Sequence, residues 1–182
     1  HVCSGCSVMM QTKLIGQSDA IEILHSKIRA AARTASSVLI QGETGTGKEL
    51  VARSIHEQCS RHQRRFVPID CGALPEDLVE SELFGYRRGA FTTAVSDKPG
   101  LFEQADHGTL FLDEIANTSK RFQVKFLRVL QEKQVRRLGD VVDRPIDARI
   151  IAATNSDLRS LARSGDFRED LLYRLNVFAI EV

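Results

Sequence analysis

The stretch Val38-Leu-Ile-Gln-Gly-Glu-Thr-Gly-Thr-Gly-Lys-Glu-Leu50 decides how this chain folds. It begins with apolar, largely β-branched residues, which predict a short buried strand. Gly42, Gly47 and Lys48 then satisfy the spacing G-x-x-x-x-G-K. Glycines let backbone N–H groups approach phosphate oxygens because no Cβ stands in the way. The stretch therefore predicts a strand, a phosphate-binding loop, and a helix whose positive N-terminus faces the same anion.

The last position of this pattern is Glu49. The general pattern has Ser or Thr there, whose hydroxyl binds magnesium, so the match is incomplete. A glycine-rich turn that binds no ligand therefore stays open as an alternative. If phosphates do bind, Lys48 is expected to reach the β- and γ-phosphates.

Length and composition are those of an ordinary globular domain. The chain has 182 residues, of which 42% are hydrophobic and 27% are charged, and its formal net charge is +1. This charge gives no electrostatic footprint for nucleic acid, so we expect any DNA recognition to belong to another part of a larger protein. The apolar runs are too short to span a membrane and no signal segment opens the chain, which predicts a cytoplasmic protein.

The four cysteines are Cys3, Cys6, Cys59 and Cys71. A domain of this size needs no disulfides, so we expect reduced thiols. Cys3 and Cys6 could form half of a zinc site with His1, but no second ligand pair lies near in sequence. Residues 1–12 lack periodicity and are interpreted as a linker or disordered tail, and residues 13–182 as one domain.

Strand and helix patterns alternate along that domain. Pro68 lacks the N–H that a central strand needs, so its strand should lie at a sheet edge. Parallel strands need helical crossovers, and the alternation therefore predicts a mainly parallel five-stranded sheet covered on both faces. The predicted strands are 38–41, 66–70, 109–112, 148–153 and 177–181, and the predicted helices are 18–34, 48–59, 75–84, 119–132, 156–164 and 167–175.

Two adjacent carboxylates, Asp113 and Glu114, follow the strand predicted at 109–112. Ligands bind at the carboxyl ends of strands in open α/β sheets, so this pair can complete a phosphate site. Asp113 suits the binding of magnesium, and Glu114 suits the polarisation of an attacking water. Taken alone, an Asp-Glu pair after a strand is more often a polar helix start.

Six segments carry motifs in a characteristic order and spacing: Leu14–Gly16, Gly42–Arg53, Glu80–Gly85, Gly89–Thr92, Gly108–Glu114 and Phe167–Asn176. Together they resemble the AAA+ ATPase domain of bacterial enhancer-binding proteins, the NtrC-like sigma-54-dependent transcription activators. Glu49 in place of the hydroxyl residue is itself characteristic of that family, so the mismatch becomes support. The resemblance covers residues 13–182 and implies a three-layer α/β P-loop NTPase core.

The resemblance implies ATP and magnesium as cofactors and a role for each matching residue. Thr154 and Asn155 would sense the γ-phosphate, and Asp113 would hold the magnesium. Arg168 and Arg174 would reach the γ-phosphate of a neighbouring subunit, which implies a homo-oligomeric ring, by family a hexamer. The nucleotide would contact Ile15, Gly16, Gly42, Glu43, Thr44, Gly45, Thr46, Gly47, Lys48, Glu49 and Leu50.

Two of the implied roles have plain structural alternatives. The two arginines could be surface residues paired with Glu169 or Asp170. Asp70 stands where many family members have an asparagine that holds the catalytic glutamate. If Asp70 lies near Glu114, two carboxylates face each other, and Asp70→Asn should change the pH dependence of ATP turnover. Otherwise Asp70 only caps the edge strand.

Residues 86–100 form an excursion that corresponds to the family's sigma-54 contact loop, with the signature Gly-Ala-Phe-Thr-Gly-Ala. The six positions here are Gly89, Ala90, Phe91, Thr92, Thr93 and Ala94. The β-branched Thr93 replaces a glycine and should restrict the loop tip, so we expect weakened remodelling with intact hydrolysis. Phe91 keeps the contact group, although an exposed aromatic could equally fold back onto the core. Residues 135–143 match a second surface loop, expected to pack beside the first.

The implied function is ATP hydrolysis that remodels the sigma-54 RNA polymerase closed complex. Family members continue into a helical lid and a DNA-binding domain, so we expect DNA contact only through a domain absent from this chain, and no membrane contact. One alternative is a nucleotide-binding regulatory module that no longer engages sigma-54, which Thr93 favours. Another is a different AAA+ motor, against which the segment 89–92 speaks.

Overall fold

The structure, a computed structural model, describes residues 18–182. The expectations for residues 1–12, Ile15 and Gly16 therefore lie outside the described residues. The strands are β1 (Val38–Gln41), β2 (Phe66–Asp70), β3 (Gly85–Tyr86), β4 (Lys98–Pro99), β5 (Thr109–Asp113), β6 (Gln134–Arg136), β7 (Asp143–Pro145), β8 (Arg149–Thr154) and β9 (Phe178–Glu181). The helices are α1 (Asp19–Ala32), α2 (Lys48–Glu57), α3 (Glu76–Phe84), α4 (Leu101–Gln104), α5 (Lys120–Glu132), α6 (Leu158–Ser164) and α7 (Glu169–Leu175).

Five strands form the central sheet in the order β2-β5-β8-β1-β9. Every neighbouring pair is parallel, which confirms the predicted sheet. Among the described residues, the strand that contains Pro68 pairs with β5 alone and lies at the edge, as the missing N–H requires. The carboxyl ends of β5, β8 and β1 lie side by side, so the segments that follow these three strands meet at one edge of the sheet.

Side chains that alternate along the strands point to two separate cores, as the pleat requires. In β5, Leu110 and Leu112 belong to the core under α3, α5 and α7, whereas Phe111 belongs to the core under α1 and α2. In β1, Leu39 lies in the first core and Ile40 in the second. The sheet is therefore covered on both faces, and the architecture has the three layers that the sequence predicts.

Every predicted helix occurs, and its observed ends lie within two residues of the predicted ones. The helix predicted from position 75 begins one residue later, because Pro75 has extended backbone with ψ of 147° and precedes α3 as its N-cap. The four-residue helix α4 was not predicted, since one turn is too short to show a period. Across residues 18–182, none of the helices combines the length and apolar character that a membrane crossing requires.

The excursion between α3 and α4 begins at Gly85 and ends at Gly100, and the backbones of these two glycines pass each other in close contact. A Cβ on Gly85 would collide with the backbone of Gly100, and a Cβ on Gly100 would collide with the carbonyl of Leu83. The short antiparallel pair of β3 and β4 closes this crossing. The predicted loop or hairpin at 135–143 is a hairpin of β6 and β7, and Tyr86 forms a bridge to Leu138 within it.

Candidate active site

The phosphate loop lies between β1 and α2 and takes a shape that its glycines permit. Gly45 and Gly47 have φ angles of +86° and +88°, in the left-handed region that favours glycine. The N–H of Gly42 donates to the carbonyl of Thr154 at the end of β8, at 3.2 Å. A Cβ on Gly42 would lie only 2.7 Å from the carbonyl oxygen of Val182. The start of the loop is therefore fixed between β8 and the residue that follows β9.

Lys48 is buried, with only 6% of its surface exposed, and its ammonium group lies inside the phosphate loop. Its Nζ donates to the carbonyl oxygens of Gly42 at 3.1 Å and Glu43 at 3.2 Å. It also forms an ion pair with Oε1 of Glu114 at 3.2 Å. The fold thus brings the lysine of the phosphate loop and the glutamate that follows β5 into direct contact.

Glu114 has left-handed backbone, with φ of 52° and ψ of 49°. For a residue with a Cβ this conformation costs about 1–2 kcal/mol, and strain of this kind concentrates at functional sites. Both carboxylate oxygens have partners: Oε1 pairs with Lys48, and Oε2 accepts the N–H of Asn155 at 3.2 Å. These contacts hold the carboxylate at the phosphate loop.

Asp113 ends β5, and its Oδ1 accepts the N–H of Glu114 at 3.0 Å. Burial raises the pKa of the Asp113 carboxyl, and the charges of Glu114 and Asp70 act in the same direction. A cation would relieve this cost. Magnesium binds through one or two carboxylates, phosphate oxygens and water, so this single carboxylate fits its preferences. No cluster of three or more metal-binding side chains occurs in the part of the chain that the structure describes.

Asn155 connects the end of β8 to both parts of the site. Its N–H donates to Glu114, and its Nδ2 donates to Oγ1 of Thr44 in the phosphate loop at 3.0 Å. Thr154 is fully buried, and its hydroxyl accepts the N–H of Ser156 at 3.0 Å. Of the two residues assigned to sensing, only Asn155 therefore presents its side chain to the loop.

Asp70 uses its carboxylate to cap the turn after β2. Its Oδ1 accepts the N–H groups of Gly72 at 2.8 Å and Ala73 at 3.2 Å, which matches the structural alternative. A Cβ on Gly72 would lie 3.3 Å from that oxygen and 3.5 Å from Cβ of Glu114. Asp70 and Glu114 thus both lie beside Gly72, while the Glu114 carboxylate bonds Lys48 and Asn155. The expected effect of Asp70→Asn on the pH dependence of turnover stays a prediction.

The remaining phosphate-loop residues face outward or support the turn. The Glu49 side chain is half exposed and pairs with Arg53 one helical turn later, at 2.7 Å. The Arg53 guanidinium lies 4.7 Å from the centre of the Phe66 ring. The hydroxyl of Thr46 donates to the carbonyl of Glu43 at 2.9 Å, which tightens the loop. Leu50, on the first turn of α2, is partly buried beneath Gly47.

Arg168 and Arg174 lie on the surface, just before α7 and near its end. Arg168 forms a two-bonded ion pair with Asp170, at 3.0 and 2.7 Å, as its structural alternative predicts. Arg174 is exposed and makes no side-chain hydrogen bond or ion pair within residues 18–182. Neither guanidinium bonds to the Lys48–Glu114 site of its own chain. Within one chain, the arginines therefore do not complete the site.

The contact loop closes on itself through the N–H of Gly89, which donates to the carbonyl of Ala94 at 2.8 Å. Phe91 is 40% exposed, and its ring meets the ring of Tyr86 edge-on with centroids 4.9 Å apart. Phe91 thus rests on the base of the loop and does not join the core. Thr93 is exposed and has a negative φ, so this conformation does not strain it.

The β6-β7 hairpin packs against the contact loop, as the family resemblance implies. The N–H of Arg87 donates to the carbonyl of Leu138 at 3.0 Å. Gly139 has a positive φ, and a Cβ there would lie 2.8 Å from Cβ of Ala90. A movement of either loop therefore changes the contacts of the other.

Two residues that contact predicted site residues were not predicted from the sequence. Gly72 lies beside Asp70 and Glu114, and only its position after a strand that ends at the site could have pointed to it. Gln123 bonds to the backbone of Arg168 at 2.9 Å. Its signal was a polar residue on the apolar face of the helix predicted at 119–132.

Comparison with known proteins places the chain in a family. Residues 14–181 match the family model described as the sigma-54 interaction domain. The chain is 49% identical over 173 residues to the response regulator protein PilR from Pseudomonas aeruginosa, which is 95% of this chain and 39% of that protein. It is 55% identical over 161 residues to the Sigma54-dependent transcriptional regulator SfnR from Pseudomonas fluorescens, which is 88% of this chain and 44% of that protein.

The fold is also that of a solved relative. The structure of NtrX from Brucella abortus in complex with ATP matches with a TM-score of 0.87 at 39% identity, over 93% of this chain and 36% of NtrX. The chain thus spans less than half the length of these relatives. Since the family model covers nearly every residue of the chain, this protein belongs to the sigma-54 interaction domain family.

Proposed function

We propose that this chain binds ATP, hydrolyses it with magnesium, and uses the hydrolysis to remodel the sigma-54 RNA polymerase closed complex. The observation that carries the proposal is the meeting of Lys48, Glu114 and Asn155 at one phosphate loop. The sigma-54 interaction domain family supports the partner, and NtrX in complex with ATP supports the nucleotide. Because the relatives are more than twice as long as this chain, the activity of the whole protein is part of the proposal.

Phosphate binding follows from the loop and the helix behind it. The backbone N–H groups from Gly45 to Lys48, together with the N-terminus of α2, can surround the phosphates. Lys48 then exchanges the carbonyls of Gly42 and Glu43 for phosphate oxygens, which offer it a full negative charge. Ile15 and Gly16 would contact the adenine.

Hydrolysis needs a polarised water and a means of neutralising the phosphates. Glu114 is the residue that would polarise the water, because its carboxylate already lies beside the loop. Asp113 would hold magnesium together with phosphate oxygens, and the ion would neutralise the charge of the transferred phosphate. Asn155, which bonds both Thr44 and Glu114, would report whether a γ-phosphate is present.

The arginines would act between subunits. Arg168 and Arg174 are exposed and do not bond to Lys48 or Glu114 of their own chain, so we infer that they approach the site of a neighbour. For Arg168 this means exchanging Asp170 for a γ-phosphate. A complete site then requires at least two copies, which supports a ring, and we propose six subunits.

The contact loop would transmit the hydrolysis to sigma-54. Phe91 rests on Tyr86 and is still 40% exposed, so it can leave this contact to meet a partner. DNA contact is proposed only for other parts of the full-length protein. The formal charge of +1 on this chain offers no attraction for the phosphate backbone.

Substitutions at Lys48 and Glu114 test the ATPase proposal in the full-length protein. Lys48→Ala should abolish ATP binding, measured by calorimetry. Glu114→Gln should keep binding and lower kcat by at least about a hundredfold, measured as phosphate release. Glu57→Gln, which removes an exposed carboxylate at the end of α2, is the matched control. Normal turnover in Glu114→Gln would overturn the assignment of the water-polarising residue.

Retention of sigma-54 tests the remodelling proposal. The wild-type protein should retain sigma-54 when it carries a transition-state analogue of ATP, and Phe91→Ala should not. Ile23→Ala is the control, because it truncates an apolar residue that is 57% exposed on α1. Retention by Phe91→Ala at the wild-type level would contradict the role of the loop, and turnover by a wild-type protein that retains no sigma-54 would indicate another motor.

A further inference from the structure

Gln123 lies on the first turn of α5 and has no exposed surface. Its Nε2 donates to the carbonyl oxygens of Thr118 at 2.9 Å and Asp166 at 3.1 Å. Its Oε1 accepts the N–H of Arg168 at 2.9 Å. The buried amide therefore joins the turn just before its own helix to residues 166–168, more than 40 positions later in the sequence, although its neighbours on the same helix face are apolar.

Two of these bonds hold the segment that carries Arg168. Asp166 and Arg168 flank Phe167, which is 2% exposed. The amide therefore forms hydrogen bonds to the backbone on both sides of a buried aromatic residue. Arg168 precedes α7 with extended backbone, and N–H groups at a helix start have no partner within the helix. Gln123 supplies that partner, and so it fixes the point from which the guanidinium of Arg168 leaves the fold.

The third bond leads back to the site of the same chain. The carbonyl of Glu114 accepts the N–H of Asn117 at 3.0 Å, and the carbonyl of Ile115 accepts the hydroxyl of Thr118 at 2.7 Å. The carbonyl of Thr118 in turn accepts from Gln123. Hydrogen bonds within the short turn 114–118, and the two bonds of Gln123 to Thr118 and Arg168, thus connect the backbone that follows Glu114 to the backbone of Arg168.

We propose that Gln123 is a positioning residue. It holds Arg168 where its guanidinium can reach the γ-phosphate of the neighbouring subunit, and it connects that arginine to the turn 114–118 of its own subunit. This inference rests on the proposed function, because it takes Arg168 to act between subunits. An apolar side chain of equal length would take from the carbonyls of Thr118 and Asp166 and from the N–H of Arg168 the partners that Gln123 gives them. The segment would shift, and a displacement of about 1 Å at a catalytic group costs about a hundredfold in rate.

The test uses the full-length protein with Gln123→Met, which keeps the length of the side chain and removes its hydrogen bonds. We expect kcat for ATP to fall about a hundredfold, while the affinity for ATP stays within about twofold of wild type. Leu130→Ala, a buried truncation on the same helix, controls for lost stability and should keep wild-type turnover below its melting temperature.

Mixed rings separate positioning between subunits from a defect in the subunit's own site. Lys48→Ala subunits cannot hydrolyse ATP but present an intact Arg168. Added to Gln123→Met subunits, they should restore turnover at least about tenfold, as they should for Arg168→Ala subunits. A defect that lies inside the Gln123→Met subunit would not be restored by a neighbour.

Each outcome decides a different point. Loss of turnover with normal ATP affinity and restoration by mixing supports the inference. Wild-type turnover in Gln123→Met, weakened ATP binding, or failure of mixing to restore turnover overturns it while the proposed function stands. Wild-type turnover in Arg168→Ala would overturn the action of Arg168 between subunits, and the inference with it.

Discussion

Thr93 is the residue at which this chain departs from the glycine of the contact-loop signature. It has a negative φ in the structure, so the closed loop accepts a β-branched residue without strain. The restriction would matter only if the loop must adopt left-handed backbone to engage its partner, since that conformation costs a non-glycine residue about 1–2 kcal/mol.

Thr93→Gly should therefore strengthen the retention of sigma-54 by about tenfold and leave ATP turnover unchanged. The measurement is retention with a transition-state analogue, together with phosphate release from the same preparation. Ser96→Gly, which adds a glycine to the same excursion outside the six-residue signature, is the control. Equal retention by wild type and Thr93→Gly would show that glycine is not needed at this position.

Asp70 stabilises the turn after β2, and this structural role can be measured separately from any role in catalysis. Its Oδ1 accepts two backbone N–H groups, so Asp70→Ala should lower the free energy of unfolding by about 1 kcal/mol. Asp70→Asn keeps an acceptor oxygen and should retain most of that stability. Urea unfolding of the two variants measures the difference. An equal loss in both would mean that the negative charge, and not the acceptor, stabilises the turn.

The seam between α2 and β5 contains a buried histidine, His56, which is 6% exposed. Its Nε2 lies 3.2 Å from the carbonyl of Arg64, and its Nδ1 lies 2.9 Å from the hydroxyl of Thr109. A carbonyl only accepts, so Nε2 is assigned the proton and Nδ1 accepts from the threonine. Burial lowers the pKa of His56 below its ordinary value of 6.5 and holds the ring neutral, although the bond to Arg64 and the charge of Glu57 oppose this.

The packing of α2 against β5 around His56 should stabilise the fold less at acidic pH. Below pH 6.5 the unfolded chain takes up a proton at His56 that the folded chain resists, so the free energy of unfolding falls as the pH falls. His56→Gln should remove this part of the pH dependence between about pH 7 and 5. Urea unfolding at several pH values measures it, with His25→Gln on α1 as the control. A wild-type slope in His56→Gln would show that other groups cause the loss.

At the scale of the whole molecule, the proposed action of Arg168 and Arg174 between subunits would make activity depend on assembly. ATP turnover per subunit should rise with protein concentration and then level off, because a subunit that is alone in dilute solution lacks the arginines of a neighbour. Arg174→Ala should lower kcat about a thousandfold at all concentrations and leave ATP affinity unchanged. Arg163→Ala, an exposed arginine on α6, is the matched control. Turnover that does not change on dilution to single subunits would contradict this arrangement.

The sequence predicted the features that depend on neighbouring residues. The phosphate loop follows β1 directly, and the Asp113-Glu114 pair follows β5, so their spacing alone located the edge of the sheet at which they meet. Pro68 placed its strand at the edge because a missing N–H acts locally.

Contacts between segments that are far apart in the chain could not be predicted from the sequence. Asn155 and Thr44 are 111 residues apart, and Gln123 and Arg168 are 45 apart, so no short motif encodes either bond. The left-handed backbone of Glu114 is also invisible in a sequence, because side-chain contacts hold it against its own preference. The parts that remained unpredicted are those that connect one motif to another.

The crossing of Gly85 and Gly100 has a consequence for the history of such proteins. The two ends of the excursion meet at a point so narrow that only glycine fits, and the core continues on either side of it. The segment between the two glycines contributes no strand to the five-stranded sheet, so we expect changes within it to leave that sheet intact. Substitutions and insertions in this short segment can therefore change which partner the loop contacts while the core of the domain stays the same, provided that both glycines are kept.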